Sequence, residues 1–251
     1  MLETKGVTIQ FGGLKAVNNV SIHVKPGMVT GVIGPNGAGK TTLFNCISGA
    51  LQPNSGQVLF QGQRIDGKLP YQINPLGISR TYQAINLFWS MTVLENVMVG
   101  MTPLIRSGFF GNLLKTPSER REEEQLQAEA MKWLEFVDLQ DYASARADGL
   151  SYGQQRLLEI VRGLASKPKL LLLDEPAAGM NSREKLDLDE LLKKIRGMGV
   201  TLLMIEHDMK LVMNVCDYIY VLNDGQLLSQ GKPEEVQADP AVVAAYLGGD
   251  D

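Results

Sequence analysis

The chain has 251 residues, of which 44% are hydrophobic and 21% charged, and its formal net charge is -4 at pH 7. A chain of this size can bury a substantial core in one or two domains, so we predict a soluble globular protein. Interspersed acidic and basic residues exclude the basic stripe of nucleic-acid-binding proteins, and every apolar run is far shorter than the ~18 residues that a membrane helix needs.

The cysteines and the start of the chain indicate the cytoplasm. Cys46 and Cys216 both fall in helical patterns and are not spaced as a pair of metal ligands. No charged and then apolar leader opens the chain. We therefore expect buried, reduced thiols rather than a disulfide.

The first part of the chain predicts antiparallel β structure. Apolar and polar side chains alternate over residues 7–11 and 20–24, on either side of a Gly12-Gly13 turn, and a second hairpin follows over residues 57–65. Phe11 lies shortly before the first buried strand. Its ring can either stack on an adenine or pack within the sheet.

A phosphate-binding loop lies between the two hairpins. Residues 34–42 read GPNGAGKTT and satisfy G-x-x-x-x-G-K-[ST], with an apolar strand over residues 28–33 before the loop and a helix over residues 40–47 after it. This context favours phosphate binding over a glycine-rich turn that binds nothing. Backbone N–H groups and the positive helix end are suited to phosphate oxygens, which Lys40 also binds, while Thr41 ligates Mg²⁺. We expect the nucleotide-binding residues of the loop to be Asn36, Gly37, Gly39, Lys40, Thr41 and Thr42.

The middle of the chain has mixed patterns. Gln83 ends an apolar and polar run over residues 78–82 and, taken alone, reads as a surface residue. Residues 109–114 are apolar and suit either a docking surface or simple packing. Thr116 and Glu119 form a capping box with proline between them, which predicts the start of a long helix.

A further helix begins at Ser151. Gln154 follows three residues later, as in a capping box, and the apolar spacing continues until Pro168 ends the helix. Free N–H groups at this end, beside Gly153, suit an anion such as a phosphate. A purely structural cap is the alternative, since nearly every helix begins with one.

Two carboxylates follow a continuous apolar strand. Residues 170–173 are all leucine, which is typical of a central parallel strand, and Asp174 and Glu175 come directly after them. Ligands of open α/β sheets bind at the carboxyl ends of the strands. We expect Asp174 to hold Mg²⁺ and Glu175 to act as the general base for the attacking water, whereas the alternative is a pair of solvated strand-end acids.

The last third of the chain predicts another buried strand. Asn181 and Glu184 cap a helix, and residues 200–205 then form an apolar strand that ends at Glu206 and His207. Because this strand ends at the same edge of the sheet, His207 can contact the γ-phosphate. A hairpin over residues 218–230 and a short helix from Pro240 complete the chain.

The order of these motifs resembles that of an ATP-binding-cassette ATPase. The resemblance covers essentially the whole chain, as one domain over residues 1–251, and implies an α/β fold of the RecA-like P-loop NTPase type. It places the parallel-sheet core and an antiparallel β subdomain at about residues 1–80 and 160–230, an inserted α-helical subdomain at about 85–160, and a helical tail at about 232–251.

The resemblance also implies roles for single residues. Phe11 corresponds to the aromatic that stacks on adenine, and Gln83 to the lid-loop glutamine that touches Mg²⁺ and reports to the transporter. His207 corresponds to the switch histidine. The signature that closes over the γ-phosphate of a second cassette corresponds to Ser151, Gly153 and Gln154.

Two departures from the usual cassette motifs point to one branch of the family. Tyr152 replaces the first glycine of the usual signature, and Asn181 stands where many cassettes have aspartate. Together with the insertion over residues 111–117, these features resemble the G-type cassette of branched-chain amino-acid importers. The alternatives are a related lipopolysaccharide exporter, which the insertion between Gly100 and Lys115 disfavours, and a non-transport cytosolic ATPase.

Membership of the importer family implies a defined set of partners. These are ATP and Mg²⁺, a second cassette in a homo- or heterodimer, two permease subunits and, indirectly, a substrate-binding protein, with no nucleic acid. The chain is then expected on the cytoplasmic face of the inner membrane as a peripheral protein. Its expected activity is ATP hydrolysis coupled to amino-acid transport.

Overall fold

The computed structural model describes residues 1–104 and 117–247. The apolar segment over residues 109–114 and the capping residue Thr116 lie outside the described residues. The chain divides into two compact units, the first formed by Met1–Gln83 with Lys169–Asp251 and the second by Ala84–Pro168.

The described strands all belong to the first unit. They are β1 (Leu2–Phe11), β2 (Leu14–Val20), β3 (His23–Val24), β4 (Val29–Ile33), β5 (Ser55–Phe60), β6 (Gln63–Arg64), β7 (Ile78–Arg80), β8 (Leu170–Asp174), β9 (Thr201–Ile205), β10 (Tyr218–Asn223) and β11 (Gln226–Gly231).

Helices occur in both units. In chain order they are α1 (Lys40–Ile47), α2 (Pro70–Ile73), α3 (Val93–Gly100), α4 (Pro117–Phe136), α5 (Tyr152–Ala165), α6 (Ser182–Gly197), α7 (Met209–Val215), α8 (Pro233–Gln237) and α9 (Pro240–Leu247). None of these helices, within the part of the chain that the structure describes, is long and apolar enough to span a bilayer.

A six-stranded, mostly parallel sheet forms the core of the first unit. Its order is β11-β10-β4-β9-β8-β7, with only β11 antiparallel to its neighbour among the pairs described. Every residue of β4, β8 and β9 is buried, as their continuous apolar sequences predict. Because these strands are adjacent and parallel, the loops that follow β4, β8 and β9 leave the same edge of the sheet.

An antiparallel sheet of the same unit contains the N-terminal hairpins. Its order is β2-β1-β5-β6, and β3 also pairs with β1. The first turn joins Phe11 and Leu14, which face each other across the β1 and β2 ladder, as predicted. Val7 and Ile9 are buried, but Phe11 is 51% exposed at the strand end, so its ring is not part of the packed interior.

The second unit is helical in its described part. α5 begins at Ser151 with the predicted capping box, and α3 begins at Thr92 with a capping box to Glu95. We did not predict α3, because the sequence before it gives a mixed pattern. A buried ion pair on α5 joins Arg156 and Glu159, with Nη1 and Oε2 2.9 Å apart.

Both cysteines are buried and free, as expected. Burial raises the pKa of the Cys46 and Cys216 thiols to about 12. The two thiols therefore stay protonated at neutral pH.

Candidate active site

The loop between β4 and α1 is fixed by two glycines. Gly34 and Gly39 have φ values of 145° and 95°, in the region that favours glycine. A Cβ on Gly34 would lie 2.0 Å from the carbonyl oxygen of Leu222, and one on Gly39 would lie 2.2 Å from that of Ala16. Any side chain at these positions would therefore displace the loop from β10 or β2.

The middle of the loop is open toward solvent. Gly37 has a φ of 79°, and a Cβ there would meet nothing within 4 Å. Asn36 and Thr41 are exposed, and Thr42 is half-buried. The N-cap of α1, Gly39, provides no side-chain hydrogen bond, so the first N–H groups of the helix remain suited to an anionic ligand.

The ammonium group of Lys40 packs against this loop. Its Nζ donates to the carbonyl oxygens of Gly34 at 2.8 Å and Pro35 at 2.9 Å. Burial lowers the pKa of Lys40, while the negative charges of Glu175 and Asp174 oppose that shift. The ammonium therefore lies between a phosphate-type loop and the carboxylates at the end of β8.

Asp174, the last residue of β8, has one engaged and one unengaged oxygen. Its Oδ2 accepts a hydrogen bond from Arg80 Nη2 at 2.8 Å. Its Oδ1 is buried and has no hydrogen-bond partner among the described residues. An unpartnered buried carboxylate oxygen is costly unless a cation or another donor binds it, so this position fits Mg²⁺.

The residues predicted to hold Mg²⁺ fit the way in which this ion is usually bound with nucleotides. No group of three or more His, Cys, Asp or Glu side chains suited to a metal occurs in the described ranges. Magnesium in phosphate-transfer sites is bound by one or two protein groups, with water and phosphate oxygens completing its shell. Asp174 and the exposed Thr41 are groups of this kind.

Glu175 adopts a conformation that is rare for its residue type. Its φ is 49°, and its N–H donates to the carbonyl oxygen of Ile205 at 3.0 Å. A non-glycine residue in this region costs roughly 1–3 kcal/mol and persists only where its surroundings impose it. Here the hydrogen bond to Ile205, the last residue of β9, supports this conformation.

Glu175 is the centre of a group of polar side chains. Its Oε2 accepts a hydrogen bond from Gln83 Nε2 at 2.8 Å and lies 3.8 Å from His207 Nδ1. The structure thus brings together Gln83, Glu175 and His207, which come from the ends of three different strands. A glutamate at this position can accept a proton from a water molecule.

Glu206 holds the end of β9 in place. It is 1% exposed, its Oε1 accepts from the Ala177 N–H at 2.9 Å, and its Oε2 accepts from His207 N–H at 2.7 Å and Asp208 N–H at 3.1 Å. These bonds join the segment after Glu175 to the segment that carries His207. The sequence analysis did not predict this structural role of Glu206, although its position directly after a buried strand could have indicated it.

The predicted helix caps are formed as expected. Ser151 Oγ accepts from Gln154 N–H at 3.4 Å, and Gln154 Oε1 accepts from Ser151 N–H at 3.0 Å. Asn181 Oδ1 accepts from the N–H groups of Arg183 and Glu184. Tyr152, beside the Ser151 cap, is 43% exposed. Anion binding at Ser151 and adenine stacking on Phe11 stay predictions.

Sequence comparisons relate the chain to one family. The model of the family described as ABC transporter matches residues 17–178, and that of a family described as branched-chain amino acid ATP-binding cassette transporter matches residues 226–251. The chain is similar to the high-affinity branched-chain amino acid transport ATP-binding proteins LivG of Escherichia coli K12 and BraF of Pseudomonas aeruginosa. Each is 46% identical over 249 residues, covering 99% of this chain and 98% of the relative. A probable LivG of Archaeoglobus fulgidus is 39% identical over 253 residues, covering 100% of this chain and 96% of that protein.

Solved structures give the same result. A nucleotide-free ATP-binding cassette from an ABC transporter superposes with a TM-score of 0.85 at 37% identity, covering 98% of each chain. The ADP conformation of an ATP-binding cassette gives a TM-score of 0.86 at 37% identity, covering 99% of this chain and 98% of that one. A dimeric cassette in a post-hydrolysis state, bound to ADP and Pi, gives 0.78 at 26% identity, covering 93% and 99%.

Proposed function

The chain belongs to the ABC transporter family, and from that premise we propose that it is the ATP-hydrolysing subunit of a branched-chain amino-acid importer. The observation that carries the proposal is the group of side chains beside the phosphate loop at the carboxyl ends of the parallel strands. These side chains are Lys40, Gln83, Asp174, Glu175 and His207. They provide the groups that phosphoryl transfer to water requires.

The phosphate loop and α1 bind the triphosphate. Backbone N–H groups over residues 36–42 and the Lys40 ammonium neutralise its charge, and the Thr42 hydroxyl adds a donor. When bound, Mg²⁺ would be held by Asp174, Thr41 and Gln83 and would neutralise charge that develops on the phosphate oxygens. Asp174 offers its unpartnered Oδ1 for this purpose.

Glu175 activates the attacking water. The water oxygen forms a bond to the γ-phosphorus as the bond between that phosphorus and the β–γ bridging oxygen breaks. Glu175 takes the proton from the water, and the products are ADP and phosphate. Gln83 fixes the glutamate through Oε2. The side chain of His207 is 59% exposed, and it is proposed to donate a hydrogen bond to the γ-phosphate.

A second cassette completes the site. Phe11 is proposed to stack on the adenine, and the N–H groups around Ser151, Gly153 and Gln154 of the other cassette are proposed to close over the γ-phosphate. The dimeric relative bound to ADP and Pi supports an assembly of this kind. The partner is either a second copy of this chain or a related cassette.

The names of the relatives support the transported substrate. Both 46%-identical proteins are described as branched-chain amino acid transport ATP-binding proteins. We further propose that the chain lies on the cytoplasmic face of the membrane, bound to two permease subunits that receive substrate from a binding protein.

Substitution of Lys40 tests nucleotide binding. Lys40→Ala removes the cation beside Gly34 and Pro35, and we expect at least about tenfold weaker ATP binding by titration. Lys194→Ala, on the exposed face of α6, is the control and should bind ATP normally. Unchanged affinity in Lys40→Ala would count against the phosphate-loop assignment.

Purification from the native membrane tests the transport assignment. We expect two integral permease subunits to co-purify with the tagged chain, and the reconstituted complex to take up labelled leucine only with ATP. Recovery with a lipopolysaccharide-export permease pair, or uptake that does not need ATP, would contradict the proposal.

A further inference from the structure

Arg80 is a buried arginine that the mechanism above does not use. It is the last residue of β7, the edge strand beside β8, and only 6% of its side chain is exposed, against 3% for its ion-pair partner Asp174. Burying the charges of an arginine and an aspartate costs desolvation free energy unless their hydrogen bonds are well formed. The contacts of the Arg80 guanidinium therefore indicate what this residue does.

The guanidinium joins β8 to α1. Nη2 donates to Asp174 Oδ2 at 2.8 Å, while Nη1 donates to Asn45 Oδ1 at 2.8 Å and to Ser48 Oγ at 2.7 Å. Asn45 lies on α1 and Ser48 caps its end. The strand-end carboxylate is thus fixed to the helix that begins at Lys40 and carries Thr41.

Two aromatic rings hold the plane of the guanidinium. Its Cζ lies 4.9 Å from the centroid of Tyr82 and 5.8 Å from that of Phe44. Tyr82 directly precedes Gln83, so the same group also contacts the segment that carries the glutamine. Cation–π contacts of this kind add both attraction and orientation.

The hydrogen bonds that the Arg80 and Asp174 side chains make, and those they do not make, favour a positioning role for Arg80 over simple charge balance. Asp174 Oδ2 is engaged and Oδ1 has no partner among the described residues, and Arg80 Nε is likewise buried without a partner among them. A pair that served stability alone would gain by using both oxygens in a fork with the guanidinium. Here one oxygen is engaged and the other is left for a ligand.

We propose that Arg80 is the positioning residue of the magnesium site: it holds Asp174 by Oδ2 so that Oδ1 is presented to the metal. This inference rests on the proposed function. Arg80 acts through Asp174 and touches neither ATP nor the reacting water. Groups that orient metal ligands typically change metal affinity by about 10- to 100-fold when they are removed.

The test separates metal binding from nucleotide binding. Mn²⁺, which takes the same oxygen ligands as Mg²⁺, is titrated into protein mixed with a non-hydrolysable ATP analogue, and free Mn²⁺ is read by electron paramagnetic resonance. For Arg80→Gln we expect the Mn²⁺ dissociation constant to rise about 10- to 100-fold, with analogue affinity in EDTA unchanged. Lower analogue affinity of Arg80→Gln in EDTA would contradict the positioning role, because Arg80 is proposed not to touch ATP, whereas wild-type protein that binds no analogue would contradict the proposed function.

A matched control and a double variant complete the experiment. Arg64→Gln removes an arginine that also pairs with an aspartate, Asp66, but is 60% exposed, and it should leave Mn²⁺ binding unchanged. Arg80→Gln combined with Asp174→Asn should bind Mn²⁺ no more weakly than Asp174→Asn alone, because Arg80 acts through Asp174.

Two results for Mn²⁺ binding would overturn the proposal. A folded Arg80→Gln with wild-type or tighter Mn²⁺ binding would show that Arg80 only balances, or competes for, the charge of Asp174. If that variant does not fold, Asn45→Ala with Ser48→Ala frees Nη1 without removing the cation. Mn²⁺ binding at the wild-type level in this second variant would overturn the proposal.

Discussion

The carboxyl ends of β8 and β9 lie side by side, and each is followed by a glutamate in a different environment. Glu175, after β8, has 18% of its side chain exposed and accepts its bond from a side-chain amide of Gln83. Glu206, after β9, is 1% exposed and accepts from three backbone N–H groups, those of Ala177, His207 and Asp208. These three backbone bonds hold the Glu206 carboxylate in one position.

The difference assigns separate tasks to the two strand ends. Glu175 keeps access to solvent, whereas both carboxylate oxygens of Glu206 hold backbone N–H groups. The Ile205 carbonyl at the end of β9 also receives the N–H of Glu175 and so maintains its left-handed conformation. The end of β9 therefore supports the end of β8, where the chemistry takes place.

The largest expected effect comes from removing the proposed base. Glu175→Gln keeps the size of the side chain but cannot take a proton, so we expect ATP hydrolysis to fall by about 10²- to 10⁴-fold. ATP affinity and the free energy of unfolding should stay at wild-type values. Glu190→Gln, an exposed position on α6, is the control. Hydrolysis at the wild-type rate in Glu175→Gln would show that the base is another group.

Substitution of Glu206 should act on stability instead. In Glu206→Gln an amide N–H₂ faces buried backbone donors, and we expect the free energy of unfolding to fall by about 2–4 kcal/mol. Urea unfolding followed by circular dichroism measures the change. If Glu206→Gln were as stable as the wild type, Glu206 would not have the structural role that distinguishes it from Glu175.

Local sequence signals predicted much of this arrangement. The bounds of α1, the buried strand β8 and the caps at Ser151 and Asn181 depend on residues close together in the sequence, and all were predicted. α3 was missed, although its Thr92 and Glu95 form a readable capping box. The apolar residues before Thr92 obscured the start of that pattern.

Other features depend on contacts that sequence reasoning cannot supply. Arg80 lies within the apolar and polar run over residues 78–82 and reads as an ordinary exposed residue of that run. Its role emerges only when β7 pairs beside β8 and brings it to Asp174, 94 residues away in the chain. The left-handed backbone of Glu175 likewise depends on its bond to Ile205 and leaves no local mark in the sequence.

His207 should show an intermediate effect on activity and little on stability. Its side chain is 59% exposed, and its proposed contribution is one hydrogen bond to phosphate. His207→Ala is therefore expected to lower ATP hydrolysis by about tenfold and to change the free energy of unfolding by less than about 0.5 kcal/mol. A loss of stability comparable to that of Glu206→Gln would instead place His207 among the supporting residues.

The smallest effect is expected at Asp208, which caps α7 through Lys210 N–H and Leu211 N–H. A hydrogen bond from Lys185, assisted by these backbone bonds, lowers the pKa of Asp208. Because the pKa is lower in the folded state, the stabilisation is present above the unfolded pKa and is lost as the pH falls through the folded one.

Asp208→Ala should therefore cost about 1 kcal/mol at pH 7, as for other helix caps. The difference from wild type, measured by urea unfolding, should stay constant down to about pH 5 and shrink below about pH 4. A difference that grows as the pH falls would contradict the assigned sign.

The central claim is that one chain carries half of a catalytic site, with the loop, metal, base and switch residues in its first unit and the Ser151 helix end in its second. The most direct test measures ATP binding and ATP hydrolysis by the purified chain over a wide range of protein concentrations. We predict that the chain binds ATP even in dilute solution, while hydrolysis per molecule is low there and rises with protein concentration or on addition of a partner cassette. A monomer that hydrolyses ATP at a constant, high rate at every concentration would contradict the claim.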